Sequence, residues 1–217
     1  VIVKKYVTIL DKDYSTMLDE DMFIQTYFND ASCETRLKAL GCVVDVINKN
    51  SYKKVLSLGS GTCVLEKFLK RLVAVDITCL DNNQDKVDVA RRFSPDLNIV
   101  CGNMRNVTFL DGFDIALFFN SSAILSPSEH VELLNQLRLM DVKTVVDLGG
   151  CLRIGRAVKS YLGSFIKKEV PEHHYCHYIK SRGVFDSIYK QARVTGVCRK
   201  LVVGGSGQQG VVTCLSL

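Results

Sequence analysis

Val55-Leu56-Ser57-Leu58-Gly59-Ser60-Gly61-Thr62-Cys63 is the most informative stretch of this chain. A short apolar run, the pattern of a buried strand, leads into two glycines one residue apart, and helically spaced apolar residues follow over 64–72. Glycines at such a turn let the backbone approach a ligand, and the helix start offers N–H groups without partners. Twenty residues after Gly61, Asp81 closes a second apolar run in Cys79-Leu80-Asp81-Asn82-Asn83. A carboxylate there is placed to accept two hydroxyl hydrogen bonds from a ribose. Asp76, in Ala74-Val75-Asp76-Ile77-Thr78, offers a rival register. Asp81 is preferred because residues 84–92 then supply the next helix directly.

Outward from this unit, short apolar runs alternate with amphipathic stretches. Residues 55–58, 77–80, 97–101, 115–119 and 144–148 read as buried strands, and 64–72, 84–93, 128–140 and 152–162 as the helices between them. The alternation predicts an α/β fold whose parallel sheet is covered on both faces. Residues 33–47 have helical spacing at Leu37, Leu40, Val43, Val44 and Ile47. Before them, 1–10 reads as a strand and 14–28 as a helix. Near the end, 199–203 and 210–215 flank Gly204-Gly205-Ser206-Gly207-Gln208-Gln209 and predict an antiparallel hairpin. That glycine-rich loop reads as a hairpin tip, because a phosphate cradle feeds a helix and none follows.

Composition narrows the class. The 217 residues are 47% apolar, enough for one core, and Lys plus Arg exceed Asp plus Glu by 28 to 23, for a net charge of +5. That excess permits a polyanionic partner without requiring one. No apolar run is long enough for a membrane span, and no signal-peptide pattern opens the chain. The nine cysteines form an odd set without a Cys-x-x-Cys pair, so they read as reduced, buried small hydrophobes of a cytoplasmic protein. The chain begins at Val1 with no initiator methionine, which fits a processed product or an excised domain, a piece of a polyprotein included.

At the first loop and Asp81 the sequence resembles the Rossmann-like S-adenosylmethionine-dependent methyltransferases. Their first motif is hydrophobic, acid, hydrophobic, then Gly-x-Gly-x-Gly. Here Ser57 stands at the acid's place and Cys63 at the third glycine's. The first departure weakens the expected grip on the methionine end of the cofactor; the second is tolerable for a small residue. The resemblance implies S-adenosyl-L-methionine as cofactor, held by Ser57, Leu58, Gly59, Ser60, Gly61, Cys63, Asp81 and Asn82. It adds Asn103 and Met104 in Val100-Cys101-Gly102-Asn103-Met104 for the adenine, and Asn120 where Phe113-Asp114-Ile115-Ala116-Leu117-Phe118-Phe119-Asn120 ends, facing the methyl group. It covers 33–217 as the methyltransferase domain, with 1–32 as an N-terminal extension packed on it. The implied fold is a mostly parallel seven-stranded sheet with a C-terminal antiparallel hairpin.

The end of the fourth strand sorts such enzymes by acceptor. Amino-group enzymes carry Asp/Asn-Pro-Pro-aromatic there, whereas this chain has Asn120-Ser121-Ser122-Ala123. No proline precedes a cysteine, which disfavours the thiolate route to a cytosine ring carbon. Ribose-hydroxyl enzymes place an Asp near this strand's end for proton removal, and Asp114 lies too early. An acceptor that already owns a lone pair needs only alignment. The ring nitrogen 7 of a cap guanine is such an acceptor, so a capped RNA 5′ end is the preferred substrate, as in cap-forming enzymes of viruses or hosts. Asn120 is the candidate catalytic residue. A small-molecule or protein methyltransferase remains a rival, as does a non-catalytic scaffold that binds RNA or a partner enzyme.

For substrate binding the candidates are Phe119, Ser121, Arg153, Tyr175 and His177. Basic residues cluster at Lys4-Lys5, Lys53-Lys54, Lys67/Lys70/Arg71, Arg153/Arg156/Lys159, Lys167-Lys168, Lys180/Arg182 and Arg199-Lys200. Those after the fifth strand matter most, because loops there overhang the substrate side. Phe118, Phe119, Tyr175 and Tyr178 could stack on a purine. Glu172-His173-His174-Tyr175-Cys176-His177 could be a substrate-contacting lid, a metal site through His173 and His177, or a polar loop. No metal is required by the preferred reading.

Overall fold

Each of the five short apolar runs 55–58, 77–80, 97–101, 115–119 and 144–148 becomes a strand, and the chain winds them about the first. The computed structural model describes residues 33–119, 121–148, 182–203 and 209–217. In chain order the elements are α1 (Cys33–Asn50), β1 (Lys54–Leu58), α2 (Val64–Leu72), β2 (Asp76–Asp81), α3 (Gln84–Phe93), β3 (Asn98–Cys101) and β4 (Ile115–Phe118). A 3-10 turn (Ser122–Ile124), α4 (Pro127–Leu139), β5 (Thr144–Asp147), α5 (Arg182–Gln191), β6 (Gly196–Val203) and β7 (Gln209–Ser216) complete them. The seven strands lie in the order β3-β2-β1-β4-β5-β7-β6. β1 to β5 are parallel, while β7 runs antiparallel between β5 and β6.

Both faces of the sheet are covered, which is why β1 and β4 are apolar without alternation. Val55, Ile77, Cys79, Ile115, Leu117 and Val146 face Leu40, Val43 and Ile47 of α1, Leu69 of α2 and Val87 and Ala90 of α3. Leu56, Leu58, Leu80, Ala116, Phe118 and Val145 face Leu133, Leu134 and Leu137 of α4 and Phe185, Ile188 and Tyr189 of α5. Fully burying one such side chain stabilises the fold by roughly 1.5–3 kcal/mol relative to exposure. Phe118 therefore belongs to the core rather than to a stacking surface.

The first crossover goes from β1 to β2 and on to β3, and the chain then returns to β4 on the other side of β1. That reversal opens a crevice at the carboxyl ends of β1 and β4, where ligands bind in open α/β sheets. The expected C-terminal hairpin is present, with Val203 paired to Gln209 across its tip. One element was not anticipated: α5, whose Phe185 and Tyr189 pack with His130 of α4. The cysteines also depart from expectation. Cys63 and Cys79 are buried, but Cys42 and Cys214 are half-buried and Cys101 and Cys198 exposed. The expected helix over 152–162 and the readings of 1–32 lie outside the described residues. Among the described residues no helix is long and apolar enough to cross a membrane.

Candidate functional site

The loop after β1 is pinned to β2 from beneath. Gly59 and Ser60 both donate to the carbonyl of Leu80, at 2.7 and 3.1 Å. The Gly61 amide donates to Asp81 Oδ2 at 2.7 Å, and the Asn83 amide to Asp81 Oδ1 at 2.9 Å. Asp81 thus stands at the head of β2 with one oxygen tied to the first loop and one to the second. Asn83, not Asn82, caps α3 by accepting from the Lys86 amide at 3.1 Å; Asn82 is exposed beside it. The rival acid, Asp76, opens β2 at the opposite edge of the sheet, where it is exposed and paired with Lys70 at 3.6 Å.

Backbone conformation explains both glycines. Gly59 has φ +66°, and a Cβ there would lie 2.5 Å from Ser121 Cβ, so no side chain fits. Gly61 has φ +58° with open space where its Cβ would point, the cradle expected beneath a ligand. The same left-handed geometry recurs at Cys63, which begins α2 with φ 59° and is fully buried. A non-glycine residue there costs on the order of 1–2 kcal/mol, so the departure at position 63 is a matter of backbone strain as well as size.

Ser57 and Leu58 are fully buried in β1. The Ser57 hydroxyl donates to Glu66 Oε1, 2.5 Å away in the first turn of α2. Sequence reading missed Glu66, which is 1% exposed. Burial pushes its carboxyl up to about 7, against the lowering effect of the Ser57 bond, with a smaller rise from Asp81. After β3, Met104 is buried, its Cε 3.6 Å from the place of a Gly59 Cβ, so it lies against the first loop. Asn103 is exposed, and its Oδ1 accepts from the Arg105 amide at 3.0 Å, closing the turn. Phe109, also missed, is 58% exposed and rests near Gly102.

At the end of β4, Phe119 is half-buried against the α1–α3 side. The Ser121 hydroxyl donates to the Leu58 carbonyl, tying the end of β4 to the end of β1. Asp114 lies before β4 and accepts from the Lys53 and Lys54 amides at 2.7 and 2.9 Å, far from the crevice. Asn120, Arg153, Tyr175, Tyr178 and His177 lie outside the described residues, as do His173 and Cys176. Among the described residues no group of three or more His, Cys, Asp or Glu side chains is placed to hold a metal.

Residues 55–140 match a family model described as a methyltransferase domain. Among curated protein sequences none matches. Among solved structures, the chain is similar to apo SibL, an S-adenosylmethionine-dependent methyltransferase, at 20% identity and TM-score 0.64, over 88% of this chain and 58% of that one. It is also similar to magnesium protoporphyrin IX methyltransferase of Synechocystis PCC 6803 with bound SAH, at 8% identity and TM-score 0.65, over 99% and 94%. The methyltransferase domain of bacterial CtHen1 aligns at 16% identity and TM-score 0.61, over 84% and 100%. The chain spans less than two thirds of SibL's length, and at these identities the likeness is one of fold. Residues 55–140 thus match a methyltransferase-domain model, and the described fold is that of the S-adenosylmethionine-dependent methyltransferases.

Proposed function

We propose that this chain is an S-adenosylmethionine-dependent methyltransferase that acts on ring nitrogen 7 of the guanine at a capped RNA 5′ end, by orientation and without a general base. The donor is S-adenosylmethionine, whose sulfonium supplies an activated methyl group. The chain's own residues fit that group. A carboxylate offers about four acceptor sites; Gly61 and Asn83 occupy one on each oxygen of Asp81, leaving two for the ribose hydroxyls. The open space above Gly61 and the exposed Asn82 border the same position.

One observation carries the acceptor reading. Three polar side chains beside the carboxyl ends of β1 and β4 are held by the fold rather than poised over the crevice: the Ser121 hydroxyl donates to Leu58, Asp81 accepts from two amides and Glu66 is buried against Ser57. A guanine nitrogen 7 has no proton to lose, so alignment alone suffices and can contribute on the order of 7–11 kcal/mol. Asn120, beside Phe119 and Ser121 in sequence, is the residue we assign to acceptor alignment. The exposed thiols of Cys101 and Cys198 support a reducing compartment, the cytoplasm.

A second reading, a small-molecule acceptor, is favoured by the charge layout. Lys53 and Lys54 lie at the amino end of β1, Lys67 bonds the Phe93 carbonyl, and Lys70 bonds Val75 and Asp76, all away from the crevice. Radiolabelled S-adenosylmethionine offered with capped and uncapped RNA of one sequence separates the two. Label in the capped RNA alone, lost when the cap is removed, is the expected result. Absence of label from both RNAs, despite cofactor binding, would turn the search to metabolites and proteins.

A further inference from the structure

The serine at position 57 leaves the first motif without its acid, yet the structure has a carboxylate there, delivered from another element. Glu66 reaches from the first turn of α2 to within 2.5 Å of the Ser57 hydroxyl, and both side chains are buried beneath the glycine loop. The groups that act on it from its surroundings are few. From β1 comes Ser57 and from β2 comes Asp81; Glu66 acts in turn on Cys79 of β2, whose thiol burial pushes well above its ordinary range, and Cys63, at the head of α2, acts on Cys79 too. Among the described residues, the charge that acts on the Glu66 carboxyl is a second carboxylate, that of Asp81. A carboxyl so placed holds its proton near neutral pH. A cation arriving over the loop reverses that balance, because an opposite charge nearby favours the ionised form.

We propose that Glu66 is a proton-linked positioning residue for the cofactor, neutral beneath the loop in the free protein and giving up its proton to solvent as the cationic donor binds. The proposal rests on the reading of this loop as the S-adenosylmethionine site. The balance is simple: the carboxylic acid loses one proton to solvent, no bond to carbon changes, and the charge left on Glu66 opposes the charge brought by the ligand. Because methyl transfer converts a sulfonium into a neutral thioether, the same carboxylate is better matched to donor than to product. Ionised Glu66 therefore sets a preference for donor over product that grows as pH rises. Ser57, by donating to the carboxylate, lowers the pH at which this happens.

Calorimetric titration of the whole chain with S-adenosylmethionine, and separately with S-adenosylhomocysteine, tests this in two buffers of different ionisation enthalpy. Wild type and Glu66→Gln are compared from pH 6 to pH 8. The ligand's own amino group titrates alike in both proteins and cancels from the comparison. Each unit by which a bound cation lowers the group's pKa is worth a factor of ten, so wild type should bind the donor on the order of tenfold tighter at pH 8 than at pH 6, relative to Glu66→Gln. It should also release more protons than the variant, and the difference should be smaller for the product. Ser57→Ala retains the carboxyl and should move the wild-type profile to higher pH, so the idea does not depend on one variant folding. Equal proton counts and parallel profiles in all three proteins would overturn the role of Glu66 and leave the cofactor site standing. Failure of wild type to bind either ligand would overturn both.

Discussion

Asp81 holds two loops with one side chain, and its removal separates binding from folding. The Gly61 and Asn83 amides lose their acceptor in Asp81→Ala, but both lie at loops where water can replace it. Hydrogen bonds to a charged group contribute about 1.5–3 kcal/mol each. Loss of two ribose contacts should therefore weaken S-adenosylmethionine binding at least a hundredfold by calorimetry, with the far-UV circular dichroism spectrum intact. Asp76→Ala, at the opposite sheet edge, should leave affinity unchanged. Equal affinity for wild type and Asp81→Ala would remove Asp81 from the ribose role. The place of Asp81 at the end of β2 was legible in sequence because a helix pattern directly follows Asp81 and not Asp76. Glu66 was not legible. On a helical wheel it reads as solvated, and only the packing of α2 onto β1 brings it to Ser57, nine positions back. The strain at Cys63 was hidden for a related reason: side-chain size can be read from a sequence, whereas a φ of 59° cannot.

Among the elements, α4 shows how a local motif carries a distant loop. Ser126 accepts from the Glu129 amide at 3.2 Å while Glu129 accepts from the Ser126 amide at 2.7 Å, a reciprocal cap ahead of Pro127. The other Glu129 oxygen accepts from Arg105 Nε at 2.6 Å, and Gln136 on the same helix holds the Arg105 carbonyl and the Val107 amide at 2.9 and 3.0 Å. The loop after β3, which carries Asn103 and Met104, is thereby fastened to α4. Ser126→Ala should cost about 1 kcal/mol, a melting shift of about 2–4 °C for a chain of this size. The Ser126 amide, and after it Arg105, hold the Glu129 carboxyl down at about 2. Its contribution is thus complete above the ordinary carboxylate value of 4.5 and is lost as pH falls from there towards 2. Melting temperature should accordingly fall less steeply over that window in Glu129→Gln than in wild type; parallel curves would dissociate the cap from acid stability. The strands were legible because each is a short apolar run ended by a polar or glycine turn. α5 was not, because its polar residues mask the apolar repeat of Val184, Phe185, Ile188 and Tyr189, and the helix is settled by packing on α4.

At the scale of the whole molecule the sheet has two unlike edges, and the charges sort by edge. The amino edge holds Asp114 on the Lys53 and Lys54 amides and the Lys70–Asp76 pair. The carboxyl edge holds the glycine loop, Asp81 and the linked ends of β1 and β4. A linear tally of lysines and arginines cannot show this, because α2 runs back across the sheet and carries Lys70 to the far edge from the loop where the helix begins. Arg199, too, is spent inside the fold, on Asp186 at 2.5 Å and over the Tyr189 ring. If capped RNA is the substrate, its phosphates must meet cations on the carboxyl side, and the sequence position of Arg153 and Arg156 after β5 makes them the pair to test. Removing one phosphate contact lowers the salt slope of binding by about one. Arg153→Ala with Arg156→Ala should thus raise the KM for capped RNA several-fold at low salt and flatten its rise with added salt by one to two units of slope. Lys53→Ala with Lys54→Ala should leave both within about twofold, because a Debye length of about 8 Å screens the opposite edge at physiological ionic strength. The reverse outcome would run the RNA across the amino edge, away from the donor, and an acceptor bound there could not receive the methyl group. Capped RNA would then be excluded as substrate, and the small-molecule reading would stand.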